Sequence, residues 1–170
     1  MDKIEVEGIK NLKGNIQISG SKNSSLPILA SSLLIDDEMV ISNIPNLSDI
    51  KFMIKILESL GSKVNFKNSI CKIKSNQPRN LKISYELVRK MRASFLILGP
   101  LLTKYGYAEV SLPGGCAIGT RPVDLHISAL EKMGAKLSLS NKRTNNYENV
   151  CDIEVVSSDL HGCELGPEYA

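Results

Sequence analysis

The second half of the chain repeats the first, and this repeat limits the possible folds more than any other feature. The matching pairs are Leu26–Leu34 with Ser94–Leu102, Val40–Pro45 with Ala108–Pro113, and Leu57–Val64 with Leu130–Leu137. The first two pairs are offset by 68 positions and the third by 73. Three collinear matches with one consistent gap are typical of a duplicated structural unit. The second copy therefore carries five extra residues, which fall in 114–119.

The first copy shows which elements the repeated unit contains. Ser and Asn residues before the apolar run Leu26–Leu34 predict a buried helix, and Met39–Ile44 predicts a strand. Ser48–Leu60 has helical spacing and ends at Gly61, and Val64–Ile73 predicts a hairpin with its turn near residues 68–69. The fold class is therefore α/β, built from repeated β-α-β-α-β-β units.

Segments outside these matches give further expectations. Two alternating stretches within the first 18 residues, at 4–9 and 15–18, predict strands. A polar surface turn is predicted at Asn141–Asn146, followed by a strand at Val150–Val156. Leu160–Leu165 is expected to open another strand, with no helix after it to cover that strand. This pattern predicts that the chain is a piece of something longer.

Composition excludes several classes of function. Hydrophobic residues make up 42% of the 170 residues, which rules out disorder and supplies enough apolar side chains for a core. A net charge of +3, few aromatic residues and no Trp argue against a nucleic-acid partner. No apolar run approaches the roughly 20 residues of a membrane span, and the first residues lack the apolar core of a signal peptide. A cytoplasmic protein without a membrane partner is expected.

The four cysteines show no metal-ligand spacing. Without CxxC pairs near the two histidines a zinc site is not expected, and without an export signal neither are disulfides. Cys71, Cys151 and Cys163 lie in strand-like alternations and are predicted to be packing residues.

Cys116 lies in a different setting, a segment with three glycines at 114, 115 and 119. Such a segment can approach a ligand closely, and Arg121 together with a following helix start would favour the thiolate. The combination suits a nucleophile or a proton donor, although a glycine-rich turn with an incidental thiol stays open. Asp124 and His126 follow, but two side chains two positions apart on a helix point about 200° apart, so a dyad is doubtful.

Cations precede both buried helices. Lys22 and Asn23 lie in a Ser/Gly-rich turn before the first, which favours an anion site or, alternatively, a solvated capping turn. Before the second helix stand Arg89, Lys90 and Arg92. Arg92 directly abuts the apolar run, and its guanidinium suits bidentate binding of carboxylate or phosphate. Arg89 and Lys90 could equally lie on an exposed helix face.

Three strings carry a family resemblance: Gly20–Asn23 before Leu-Pro-Ile-Leu-Ala, Val88–Ser94, and Ser111–His126. They resemble the UDP-N-acetylglucosamine carboxyvinyltransferase family of enolpyruvyl transferases, within the EPSP synthase-like superfamily. The resemblance runs from about Lys3 to Leu137. It implies two inside-out α/β barrels of three repeats each, with the active site between them. Two of the three repeats of one barrel would be present here, about 18–75 and 82–157, with a third beginning at about 160–170.

The resemblance also implies a reaction and its residues. Enolpyruvyl passes from phosphoenolpyruvate to the sugar 3-hydroxyl in the first committed step of peptidoglycan synthesis, without a metal or other cofactor. Cys116 corresponds to the catalytic loop cysteine that fosfomycin alkylates. Lys22, Arg92 and Arg121 would bind phosphoenolpyruvate. The residues expected at UDP-N-acetylglucosamine are Asn23, Arg92, Arg121, Pro122, Val123, Asp124 and Leu125.

The sequence departs from the family pattern in several positions and in length, and these departures bear on whether the chain is active alone. Ser21 and Thr120 replace usual alanines, and Asn141–Asn149 reads as an insertion in a normally tight hairpin. The family enzyme is more than twice this length, and the opening strands up to about Gln17 would belong to its second barrel. The chain alone is therefore expected to be inactive and to need the rest of its enzyme. A non-catalytic nucleotide-sugar or phosphate-binding module is the alternative, and a structural subunit completed by another chain is a third.

Overall fold

The computed structural model describes residues 3–8, 10–11, 13–78, 80–88, 91–111, 123–143 and 149–166. The helices are α1 (Lys22–Ser31), α2 (Ser48–Ser59), α3 (Tyr85–Val88), α4 (Leu98–Tyr105) and α5 (Asp124–Lys132), with 3₁₀ segments at Ser32–Leu34 and Arg92–Ile97. The strands are β1 (Glu38–Ile41), β2 (Lys63–Lys67), β3 (Ile70–Lys74), β4 (Lys82–Ile83), β5 (Tyr107–Ser111), β6 (Lys136–Arg143) and β7 (Asn149–Val156). In these ranges no helix is both long and apolar enough to cross a bilayer.

Three strands of each sheet share one order and one set of directions, which confirms the predicted α/β class and the duplication. Of the predicted β-α-β-α-β-β unit, the first copy shows α-β-α-β-β in the described residues, without the opening strand. In the first sheet β3 lies between β1 and β2 and pairs antiparallel with both. In the second sheet β7 lies between β5 and β6, again antiparallel to both. The second sheet also has β4, which pairs parallel with β5. Each unit thus places its hairpin beside the strand that follows its first helix.

The buried helical segments of the two units share one pattern of core positions. Leu29 and Leu33 are fully buried, and so are Ile97 and Leu101, their counterparts 68 positions later. The α1 helix packs against the 3₁₀ segment 92–97, while α4 packs against the 3₁₀ segment 32–34. The two copies therefore interlock through one continuous core rather than forming separate bodies.

The sequence match pairs Val40 with Ala108, and in the structure this alignment of β1 with β5 is wrong by one residue. Met39 of β1 faces inward and Val40 is 57% exposed, whereas Ala108 of β5 is fully buried. Met39 therefore corresponds to Ala108, an offset of 69. One of the five extra residues predicted for 114–119 therefore lies between Leu101 and Ala108. This connection contains Gly106, which ends α4 in the left-handed conformation (φ 69°). Because side chains alternate along a strand, a shift of one residue exchanges its two faces.

Later elements of the units match closely. Gly61 and Gly134 follow α2 and α5 with φ values of 96° and 97°, a conformation that glycine adopts without strain. The predicted hairpin at Val64–Ile73 is confirmed as β2 and β3, and Asn68 and Ser69 make the turn with positive φ. The predicted strand Val150–Val156 is confirmed as β7.

Three local predictions are wrong. The described parts of residues 3–20 contain no strand, and Ile4, Val6, Ile16 and Ile18 there are exposed. A strand needs a hydrogen-bonded neighbour, and alternation of side chains alone does not supply one. Residues 157–166 likewise contain no strand. Finally, Asn141–Arg143 extend β6 instead of forming a turn, since they pair with Asn149–Cys151 of β7.

Candidate functional site

The first predicted anion-binding residues lie at the start of α1. Ser21 caps the helix, and its side-chain oxygen accepts a hydrogen bond from the backbone N–H of Ser24 at 3.3 Å. Lys22 and Asn23 are the first two residues of the helix and are exposed. The helix therefore begins four residues before the apolar run, so the helix dipole acts directly at Lys22 and Asn23.

A carboxylate that the sequence analysis did not single out contacts Lys22. Its Nζ lies 2.8 Å from Oδ2 of Asp49, which belongs to the first turn of α2. The Lys22 side chain is 44% exposed and that of Asp49 is 30% exposed. The available signal was Ser48-Asp49 directly before an amphipathic run, a sequence typical of a helix start. The ion pair brings the N-terminal turns of α1 and α2 together.

Two backbone segments cross closely beside this ion pair. A Cβ placed on Gly20 would lie 1.7 Å from the carbonyl oxygen of Asn43, so only glycine fits there. Asn43 itself has a positive φ of 58°, which asparagine tolerates better than most residues. Gly20 leads into α1 and Asn43 leads into α2. This crossing therefore fixes the distance between the two helix starts.

The second predicted cation begins the equivalent helical segment of the other unit. Arg92 is the first residue of the 3₁₀ segment 92–97, while Arg89 and Lys90 lie outside the described residues, as does the side chain of Arg92. Ser94 is fully buried and its hydroxyl donates to the carbonyl oxygen of Met91 at 2.7 Å. Because α1 packs against segment 92–97, the backbones that carry Lys22 and Arg92 belong to contacting elements.

The predicted nucleotide-sugar segment enters α5. Val123 is buried at the start of the helix, and Asp124, Leu125 and His126 form its exposed first turn. The imidazole ring of His126 and the ring of Phe95 make a T-shaped contact, with centroids 5.9 Å apart and planes at 87°. Since Phe95 belongs to segment 92–97, this contact joins the start of α5 to the segment that begins at Arg92. Cys116, Arg121 and Pro122 lie outside the described residues.

A buried polar network at the end of β5 was also missed by sequence reasoning. Asp152 is 4% exposed and accepts a 2.6 Å hydrogen bond from the hydroxyl of Ser111. Lys82 Nζ lies 3.3 Å from the same carboxyl group and also pairs with Glu109. A buried carboxylate needs such partners, because it loses the solvation of water. Ser111 is the last described residue before the glycine-rich segment, so the network fixes the strand that leads into it.

The remaining cysteines lie in three different environments. Cys71 is fully buried, as predicted, and burial raises the pKa of its thiol to about 11. Cys151 is half-buried. The prediction that Cys163 is a packing residue in a strand-like segment is wrong, because residue 163 is exposed and lies in no strand. Among the described residues there is no group of three or more histidine, cysteine or acidic side chains placed to hold a metal ion.

Comparison with known proteins identifies a family that this chain matches. The profile of the family described as EPSP synthase (3-phosphoshikimate 1-carboxyvinyltransferase) matches residues 6–165. A UDP-N-acetylglucosamine 1-carboxyvinyltransferase from Campylobacter jejuni subsp. doylei is 53% identical over 139 residues, which are 82% of this chain and 33% of that protein. One of the same name from Sulfurovum sp. is 44% identical over 165 residues, 97% of this chain and 37% of that protein.

A solved structure shares the fold. The enolpyruvyl transferase NikO from Streptomyces tendae superposes with a TM-score of 0.68 at 15% sequence identity, over 88% of this chain and 31% of that one. At this identity the likeness bears on the fold alone. The chain spans about a third of the length of the curated relatives named above.

Proposed function

Because the chain belongs to the EPSP synthase family, and is therefore of the carboxyvinyltransferase class, we propose that it provides half of an active site for transferring enolpyruvyl to UDP-N-acetylglucosamine. Phosphoenolpyruvate is the proposed donor, and the 3-hydroxyl of the sugar is the acceptor. This reaction would place the chain in cytoplasmic peptidoglycan synthesis. The observation that carries the proposal is the position of Lys22, which is exposed at the start of α1 beside the start of α2. The chain is also 53% identical over 139 residues to a UDP-N-acetylglucosamine 1-carboxyvinyltransferase.

The proposed donor site uses positive charge at these helix starts. Lys22 and Arg92, joined by Arg121 from the segment before α5, bind the phosphate and carboxylate of phosphoenolpyruvate. Support comes from the packing of α1 against segment 92–97, and from the preference of helix N-termini for anions. Arg92 and Arg121 suit bidentate contacts with either anionic group.

The proposed acceptor site uses the neighbouring residues. Asn23, together with Arg92 and Arg121, contacts the sugar nucleotide, and the segment Pro122–Leu125 lies along its uridine diphosphate. The contact between His126 and Phe95 supports this assignment, since it connects the start of α5 with segment 92–97.

The proposed chemistry is addition followed by elimination. The sugar oxygen forms a bond to C2 of phosphoenolpyruvate while C3 gains a proton, for which the Cys116 thiol is the proposed donor. The thiolate left on Cys116 then takes a proton from C3 while the bond from C2 to the phosphate oxygen breaks, so that inorganic phosphate leaves. A base for the sugar hydroxyl is expected from the remainder of the enzyme. We therefore propose that these 170 residues alone do not turn over.

Fosfomycin labelling tests the assignment of Cys116. The chain is incubated with fosfomycin and UDP-N-acetylglucosamine and analysed by peptide mass spectrometry. We expect an adduct on Cys116 that persists in Cys163→Ala, the control for an exposed thiol, and disappears in Cys116→Ala. Calorimetric binding of the sugar nucleotide without an adduct would favour the alternative, a non-catalytic binding module. If the chain neither binds the sugar nucleotide nor forms an adduct, both the proposal and the alternative are contradicted.

Phosphate release tests the second part of the proposal. With both substrates present the isolated chain is expected to release no phosphate above background. Release at the rate of a full-length relative assayed in parallel would contradict the prediction that the chain is inactive alone.

A further inference from the structure

We propose that Asp49 is a positioning residue that holds the Lys22 ammonium group in place for a phosphorylated anion. The inference rests on the proposed function, which assigns Lys22 to phosphoenolpyruvate, and adds a residue from a different element. The distance of 2.8 Å between Lys22 Nζ and Asp49 Oδ2 is that of a charge-assisted hydrogen bond.

The backbone segments that precede α1 and α2 are in contact, which brings together the two helices that carry this ion pair. The contact between Gly20 and Asn43 leaves no room for a Cβ, and it lies two residues before Lys22 on one side. On the other side four residues connect Asn43 to α2, which begins at Ser48. Asp49 is further stabilised in the first turn of α2, where the helix dipole favours negative charge.

Lys22 needs such a partner because its side chain is long and flexible. Ordering a lysine side chain when a ligand binds costs conformational entropy. A permanent partner restricts the side chain before the ligand arrives, and therefore lowers the entropy lost on binding. An ammonium group has three N–H donors, so one bond to Asp49 leaves two for an anion. The Lys22 side chain is 44% exposed, which leaves the ammonium group open to a ligand.

The Asp49 carboxylate also has an opposing effect, since its charge repels an incoming anion. The two effects predict opposite outcomes when Asp49 is replaced. If Asp49 mainly positions Lys22, Asp49→Ala weakens anion binding, and Asp49→Asn recovers part of it because the amide oxygen still accepts a hydrogen bond. If Asp49 mainly competes for Lys22, both variants bind anions more tightly.

The first experiment titrates the full chain with inorganic phosphate and with phosphoenolpyruvate while NMR follows the amides of Asn23 and Ser24. We expect Asp49→Ala to raise the dissociation constant roughly three- to tenfold, with Asp49→Asn in between. Asp37→Ala, the loss of an exposed carboxylate elsewhere, is the matched control and is expected to bind as the unaltered chain does. Unchanged or tighter binding by Asp49→Ala would overturn the proposal.

The second experiment needs no ligand. Side-chain NMR relaxation at Cε compares Lys22 with the exposed Lys51 of α2. Lys22 is expected to be more ordered than Lys51, and to become as mobile as Lys51 in Asp49→Ala. Equal mobility in the unaltered chain would overturn the proposal. Two other outcomes would contradict the proposed donor site instead. In the first, Lys22 is ordered but the chain binds neither phosphate nor phosphoenolpyruvate. In the second, Lys22 is ordered but the Lys22→Ala variant binds both anions as tightly as the unaltered chain does.

Discussion

At the scale of the residue, the same side chain differs in chemistry according to where the fold places it. Cys71 lies in the central strand of the first sheet with no exposed surface, and its pKa is raised to about 11 by burial alone. Cys163 lies on the surface of the segment after β7. Since the thiolate is the reactive species, Cys71 is inert at neutral pH while the fold persists.

The raised pKa of Cys71 predicts a loss of stability at alkaline pH. An unfolded thiol ionises near pH 9 and the folded one near pH 11. Between these values the unfolded state binds fewer protons, so the free energy of unfolding falls, by up to about 2 kcal/mol. Below pH 9 this contribution is fully present. Denaturant titrations of the unaltered chain and of Cys71→Ala, from pH 8 to 11, would measure the difference.

Cys71→Ala is expected to be less stable than the unaltered chain at pH 8, because it leaves a small cavity, but to lose less stability up to pH 11. Tyr107 also has a raised pKa, from burial and then from the charges of Glu109 and Glu154, and it is present in both proteins. Parallel decreases in the two proteins would contradict the assignment of the alkaline loss to Cys71.

At the scale of the element, α2 and α5 are counterparts in the two units, but α2 is much more buried than α5. Four residues of α2 are buried: Ile50, Met53, Ile56 and Leu57. None of α5 is buried, although Ile127 and Leu130 pack partly against the core. Met53 is fully buried, and its counterpart at an offset of 73 is the exposed His126. The first unit has the second beside it, whereas among the described residues no further unit covers α5.

This difference predicts faster amide hydrogen exchange in α5 than in α2. Local opening costs less free energy where fewer apolar side chains leave the core. Exchange followed by mass spectrometry at peptide level would compare 48–59 with 124–132 in the same sample. Equal protection of the two helices would show that another part of the chain, or a second copy of it, covers α5.

At the scale of the whole molecule, the two units share their core instead of each having its own. Segment 92–97 of the second unit packs on α1, and segment 32–34 of the first packs on α4. The polar contacts follow the same arrangement, because Lys104 of α4 pairs with Asp36, which follows segment 32–34. The chain should therefore unfold as one cooperative unit.

Substitutions at the counterpart positions Leu33 and Leu101 test this cooperativity. Both side chains are fully buried, so each change to alanine should lower the free energy of unfolding by about 2–5 kcal/mol. Circular dichroism during urea unfolding should show one transition in both variants. Leu139→Ala, at a position 67% exposed, is the control and should leave the transition in place. A second transition in either variant would indicate units that unfold independently.

Local patterns predicted α1, α2, the first hairpin and β7, but they also predicted strands in 3–20 and 160–165 that the described residues do not form. The helical spacing of 48–60, the glycine end of α2, the hairpin at 64–73 and the duplication were all predicted. The family resemblance drawn from three strings is confirmed by the match at 6–165. The contacts between segments were not found, because nothing local in the sequence indicates that Asp49 meets Lys22 or that Phe95 meets His126. The predicted roles of Cys116, Arg121 and Pro122, and the assignment of the opening segment to a second barrel, stay predictions.

The one-residue difference between β1 and β5 limits how the gene can recombine. An exchange in the connection before the strands, aligned by the strands' sequence match, would join α1 to β5 with the wrong phase. The strand would then present Glu109 to the interior and Ala108 to water. Such a chimera would place a charged side chain where the fold has an apolar one, which costs free energy of folding.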